Sequence, residues 1–188
     1  WTIIMAQINI PTTVLWGSAA TSLNLMFTEL YGQAGGATYY DGQYTEASPF
    51  VLAAGVATSL PNNKATVEEA QLPVDLTTLY DGTGILATQG DGVLVTVSFS
   101  LKPTVTATDE VQVWIDNTAG VGSPVADANL LKTTVAFKQL VGAERPILYS
   151  LNAQASALWG SNGARIKIKT NGACNIYGIS YTINRVSK

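Results

Sequence analysis

The 188-residue chain contains no histidine and a single cysteine. Without histidine there is no Ser-His-Asp or Cys-His nucleophilic system. The common zinc sites, which need His or several Cys, are excluded as well. Cys174 alone cannot close an intrachain disulfide, which suits manufacture in a reducing cytosol; it reads as a small apolar filler in a strand. Charge is also scarce. Charged residues make up 12% of the chain, about half of the ~25% usual in soluble domains. A surface this poor in charge must be built from Thr, Ser, Asn, Gln and Gly, or must be buried in part against other chains. The net charge of −3 offers no general grip on nucleic acid. No run approaches the ~20 apolar residues of a membrane span, so neither nucleic acid nor membrane is expected as a partner. No cationic start leads into an apolar run, so no secretory signal is read. Met5 is the first methionine, and Trp1–Ile4 are expected to be extra residues before the natural start.

Carboxylates remain as the only route to chemistry, since a glycosidase needs just two. Asp75, Asp81, Asp91, Asp109, Glu110, Asp116 and Asp127 are available, but most stand in turns or at strand ends such as "YDGTG" and "QGDGV". They read as solvated turn residues. No spaced ligand loop for calcium is present, and there is no Gly-x-Ser-x-Gly elbow or phosphate-binding Gly-Lys-Ser/Thr loop. Catalytic, cofactor and metal residues are therefore expected to be absent, and the chain is not expected to be an enzyme.

What is present is a change of period along the chain. Ala19, Leu23, Met26, Phe27 and Leu30 recur at helical spacing, with Ser18 or Thr21 to cap the start and Gly32 to end it. A helix over about 18–31 is too short to stand alone in water, so its stripe needs a partner. A glycine-rich stretch follows (32–50), read as an extended arm whose Tyr39, Tyr40 and Tyr44 lie against something. From about Leu72 the pattern becomes short alternating strands. "VLVTVSFSL" puts Val93, Val95, Val97, Phe99 and Leu101 on one face and Thr96, Ser98 and Ser100 on the other. "EVQVWID" turns Val111, Val113 and Ile115 inward and Gln112, Trp114 and Asp116 outward. "LKTTVAFK", "RPILYSLN", "QASALW" and "ARIKIKT" are further strands, and "CNIYGISYTIN" lines up Tyr177, Ile179, Tyr181 and Ile183. Asn171-Gly172 reads as a two-residue hairpin turn joining the last two strands. The fold class is mainly β: an antiparallel β-sandwich, with a jelly roll as its form, preceded by a short N-terminal helix and an extended arm. An attachment segment (1–45) and a jelly-roll domain (46–188) divide the chain.

Three groups of residues stand out. An outward Trp114 beside Gln112 is a candidate oligomer contact, with a sugar-stacking platform and a lone exposed ring as the other readings. Arg165, Lys167 and Lys169 form a cationic row that reads as a solvated or edge-protecting face, or as a secondary docking site for an acidic surface. The stripe of Leu23, Met26, Phe27 and Leu30 packs either on its own domain or on copies of itself or a host protein.

"INIPTTVLWGSAATSLNLMFTELYG", with its LN-x-x-F-x-x-L helix, and "GDGVLVTVSFSLKPTVTATDEVQVWID", continuing to "GARIKIKTNGACNIYGISYTINRV", together resemble virion accessory proteins of tailed phages: head-decoration proteins, head fibres and short tail-fibre tips that end in a tumour-necrosis-factor-like jelly roll. The resemblance implies a homotrimer located in the virion, anchored by its N-terminal segment to the capsid or to another head or tail component. It carries over no catalytic residue and no cofactor. The alternative under the same resemblance is a receptor-binding tip that recognises a host surface glycan.

Overall fold

The computed structural model describes residues 34–73, 75–116, 133–137 and 141–187. The expected helix over 18–31 lies outside them. Ten strands are described: β1 Gly35–Tyr40, β2 Phe50–Leu52, β3 Thr58–Ser59, β4 Thr66–Gln71, β5 Gly92–Pro103, β6 Glu110–Asp116, β7 Thr133–Ala136, β8 Arg145–Gln154, β9 Arg165–Thr170 and β10 Cys174–Ser187, with one short helix, α1, at Ala157–Asn162.

The order of pairing gives the architecture. Strand β1 pairs with β10, β3 with β9, β5 with β8 and β6 with β7, all antiparallel. These are four nested pairs of one long ribbon, and alternate pairs go to alternate sheets. One sheet runs β4-β1-β10-β5-β8, with β2 beside the start of β10, and the other runs β3-β9-β6-β7. Nested ribbon pairs shared between two facing sheets make a jelly roll. The core lies between the sheets. Val93, Val95, Val97, Phe99 and Leu101 of β5 are buried there with Val111, Val113 and Ile115 of β6, Ile166 and Ile168 of β9, and Ile176, Ile179, Tyr181 and Ile183 of β10. The alternation of valine with Thr and Ser in β5 thus sets inward and outward faces as its period of two requires.

Four expectations need correction. The residues read as an arm include a strand of the sandwich. β1 is hydrogen-bonded on both sides, to β4 and to β10. Its glycines serve close approach: a Cβ on Gly35 would meet the Gln71 carbonyl oxygen, and one on Gly36 would meet the Asn184 side chain. A division at residue 45 would cut β1 away from the sheet it belongs to. "QASALW" is in part helical. The Ser156 hydroxyl accepts from the Trp159 N–H at 3.2 Å and caps α1. The inward row of β10 is broken by a bulge at Gly178 (φ +62°). It turns Tyr177 to the outer side and keeps Ile179, Tyr181 and Ile183 inward.

The fourth correction concerns Asn171-Gly172. β9 and β10 do not form a hairpin, because they belong to different sheets. Neither residue has positive φ. The Asn171 carboxamide clips a neighbouring loop instead. Its Oδ1 accepts from the N–H groups of Asp109 and Glu110, both at 3.1 Å, and its Nδ2 donates to Asp109 Oδ1. The hydroxyls of Thr104 and Thr108 both donate to the Ala173 carbonyl at 2.9 Å. Gly172 is required by space: a Cβ there would lie 2.7 and 2.8 Å from the N and Cα of Thr108. Gly172→Val is therefore expected to cost about 1–3 kcal/mol as overpacking against backbone. Urea denaturation checks this, and an unchanged midpoint would place the corner wrongly.

Candidate assembly surface

Shallow clefts among the described residues include one lined by Gly92, Asn152, Gln154 and Val186 among others and one beside Trp159 with Leu76, Leu86, Thr88 and Gln89; neither of these is lined by a titratable group. No grouping of three His, Cys, Asp or Glu is placed to hold a metal ion among the described residues. The turn carboxylates serve structure. Asp81 Oδ1 accepts from the Thr83 N–H, the Thr83 hydroxyl and the Gly84 N–H at 2.7, 2.7 and 2.8 Å. Burial works to raise its pKa, but these hydrogen bonds outweigh burial and hold the carboxyl below its ordinary value. Asp91, read as a solvated turn residue, is fully buried against Arg185. Cys174 is buried as expected, and burial pushes its thiol up to about 11, which leaves little reactive thiolate at neutral pH.

Two of the three sequence-predicted groups fall on the outer face of the four-stranded sheet. Trp114 does stand on the side opposite Val113 and Ile115, yet its ring is only 4% exposed in the single chain. The exposure on which its role as an oligomer contact rested is absent. Gln112 beside it is half-buried and donates to Glu110 Oε1 at 2.7 Å. The cationic row faces this strand in register: Arg165 opposite Asp116, Lys167 opposite Trp114, Lys169 opposite Gln112. Lys167 Nζ also donates to Ser59 Oγ at 2.9 Å. Arg165, Lys167 and Lys169 are thus half-buried and interleaved with acidic and amide groups. Leu23, Met26, Phe27 and Leu30 lie outside the described residues.

The outer face of the six-stranded sheet has a different character. On β10 it presents Ser180, Thr182, Asn184 and Val186, on β5 Leu94, Thr96 and Ser98, on β8 Leu148, Ser150, Asn152 and Gln154, and on β1 Thr38. None of these side chains is charged. Their hydroxyls are bonded to one another across strands: Thr38 to Thr182 at 3.0 Å, Ser98 to Ser180 at 2.7 Å, Thr96 to Ser150 at 3.0 Å. Among the described residues, charge returns at the margins: Glu68 on β4, bonded by the Tyr40 hydroxyl, Glu144, bonded by the Ser100 hydroxyl, and the Lys102–Glu46 pair. At one end of the path of strands, β8 runs from Pro146 to Gln154 without a charged residue, and Leu148 is 71% exposed. Sequence reasoning passed over this surface, although its signal, Thr96-x-Ser98-x-Ser100 between core residues, was in plain view.

No protein-family model matches the chain, and no curated protein matches it. Solved structures with a related shape include the PRD1 vertex protein P5 (13% identity, 82% of this chain and 73% of that one, TM-score 0.44), the Eiger TNF from S. frugiperda (11% identity, 83% and 93%, TM-score 0.47) and the Tobacco streak virus coat protein (6% identity, 84% and 90%, TM-score 0.37). At such scores and identities the likeness carries no functional argument, and the jelly roll stands on the strand order itself.

Proposed function

We propose that this chain is a structural virion protein, a capsid-decorating or head-fibre homotrimer that self-associates through the outer face of the six-stranded sheet and is held on the particle by its N-terminal segment. The observation that carries this reading is the uncharged face continuous with β8, which carries no charge from Pro146 to Gln154. A long edge stretch without charge invites pairing, and soluble monomers usually guard such edges with Lys, Glu or Pro; β4 has Glu68 in mid-strand, whereas β8 has Arg145 and Pro146 at its start and no charge or proline after them. Hydroxyls already bonded within the chain can be covered by a second copy without leaving polar groups unsatisfied. The self-association surface thus moves from Trp114 and Gln112 to this face.

The N-terminal segment supplies the other half of the reading. Burying Leu23, Met26, Phe27 and Leu30 against the particle would contribute roughly 1.5–3 kcal/mol per side chain, and three copies add avidity. Leu23→Asp with Phe27→Asp in the full chain is expected to lower occupancy on particles that lack the native protein by more than about tenfold, with the unfolding midpoint of the sandwich unchanged. A truncation meant to remove the anchor must stop before Gly35, since β1 is part of the sheet. Wild-type occupancy in the double variant would move the anchor elsewhere, with Arg165, Lys167 and Lys169 as the next place to look. Recognition of a host glycan stays the alternative reading. At the end of the sandwich away from Gly35 and Val186, the described residues 53–57, 104–109, 141–144 and 171–173 include no aromatic ring, and Tyr44 in the loop 41–49 is half-buried edge-on against Phe50 at 5.3 Å.

A further inference from the structure

Strand β1 begins at Gly35, and the stripe of Leu23, Met26, Phe27 and Leu30 precedes it in the chain. The cleft beside Trp159 opens at this same end of the sandwich, and Arg185 ties the two places together. Gly35 pairs with Arg185, whose guanidinium bonds Asp75 and Asp91. Asp75 adjoins Leu76 on one wall of the cleft, and Asp91 accepts from the N–H of Thr88 on another. A Cβ on Gly35 would stand 2.7 Å from Pro73 Cδ, and the Pro73 carbonyl accepts from the Leu76 N–H at 3.1 Å. The cleft is thus one turn of chain away from the point where the stripe's segment joins the sheet. Leu30 precedes Gly35 by few enough residues that extended chain between them reaches at most about 17 Å.

The walls of the cleft are mainly apolar. Leu76, Leu86, Ala87, Ala157 and Gly160 line it around Trp159, with Leu76 and Leu86 half-buried and Ala157 exposed. Its volume is about 440 Å³, far beyond the ~30 Å³ share of one water. No charged side chain is among the described residues that line it, and the stretch 18–31 holds one charge, Glu29, which is off the stripe. The two surfaces can therefore cover each other without burying a charge. We propose that the cleft is the seat of this chain's own stripe: away from the particle, Phe27 and Leu30 pack into it against Trp159. The short tether favours the chain's own segment over that of a second copy, because it holds the stripe at high effective concentration beside the cleft. The docking goes beyond the assembly reading and needs neither particle nor self-association; only the release of the stripe onto the particle rests on that reading.

Thr77 is exposed beside Leu76, and Cys174 is buried, so Thr77→Cys takes a nitroxide at the rim of the cleft. The full chain, isotope-labelled at its methionine methyls, gives two signals to read, Met5 and Met26. The Met26 signal is expected to lose most of its intensity to the nitroxide. Ala157→Glu puts a charge into the cleft at the first turn of α1, where an acid is well tolerated, and should restore that intensity, as should Leu23→Asp with Phe27→Asp. An undiminished Met26 signal in the nitroxide-bearing chain overturns the proposal. So does a loss that persists in Ala157→Glu, which would put the stripe near Thr77 but outside the cleft. A mixture of nitroxide-bearing chains without isotope and isotope-bearing chains without nitroxide tests the tether. Broadening as strong in the mixture as in the single chain would seat the stripe on a second copy, and the proposal fails. If Met26 is broadened within one chain while Leu23→Asp with Phe27→Asp still occupies particles, the docking stands and the anchor reading alone fails.

Discussion

Arg185→Ala should destabilise the fold by about 3–5 kcal/mol, the usual result of removing one partner from a buried ion pair. The guanidinium sits on the inward side of β10 with no exposed surface. Its Nη1 is 3.2 Å from Asp91 Oδ2, also fully buried, and its Nη2 is 2.7 Å from Asp75 Oδ1, which is one-third exposed. The Thr88 N–H donates to Asp91 Oδ2 at 2.7 Å, while Asp91 Oδ1 is buried without a partner. Deleting Arg185 thus strands a carboxylate that already lacks part of its hydrogen bonding. The desolvation of Asp91 dominates the cost, not the attraction that is lost. It follows that Arg185→Met with Asp91→Asn should recover most of the loss, since the amide keeps an acceptor for Thr88 and buries no charge. Urea denaturation of the three proteins decides it. A cost below about 1 kcal/mol for Arg185→Ala would mean that water reaches Asp91.

Trp159→Ala carries the second large expected effect, about 3–5 kcal/mol. Helix α1 is only six residues long and cannot hold itself together. It is fixed by its Ser156 cap and by Trp159, which is 1% exposed and donates from Nε1 to the Ile85 carbonyl at 2.9 Å. Gly160 lets the helix approach closely, since a Cβ there would stand 3.1 Å from the Gln89 nitrogen. Trp159→Phe keeps most of the ring and loses the donor. Because the Ile85 carbonyl also accepts from Ala164 at 2.9 Å, that variant should lose only about 1–2 kcal/mol. Equal losses for Phe and Ala would show that the hydrogen bond, not the packing, holds the helix.

The parts of the fold that were legible were those whose signal is local and periodic. Strand β5 alternates over twelve residues with hardly a break, so its two faces could be read directly. Misreadings came where a local signal was overruled by distant structure. Asn171-Gly172 is a strong turn pair, but the strands on either side go to different sheets, and the glycine answers to Thr108 rather than to its own φ. Tyr177 was put in one row with Ile179, Tyr181 and Ile183 because a one-residue bulge cannot be seen in an alternating pattern, yet that extra residue puts Tyr177 on the opposite face. Trp114 was placed on the correct side of its strand, but the side of a strand does not give its exposure. The tyrosines of the supposed arm needed a partner: Tyr39 is buried, with its hydroxyl accepting from the Leu79 N–H at 2.9 Å. The pairing of Arg185 with Asp91 joins residues 94 positions apart and left no mark in either local sequence.

Self-association through the uncharged face is the claim on which the account turns, and native mass spectrometry of the full chain at micromolar concentration tests it most directly. Leu148 and Ser150 stand exposed on β8, so Leu148→Asp with Ser150→Asp places two charges on that face and none in the core. The account predicts a trimer for the wild-type chain and a folded monomer for the double variant. A wild-type monomer, or a variant that remains trimeric, would contradict it.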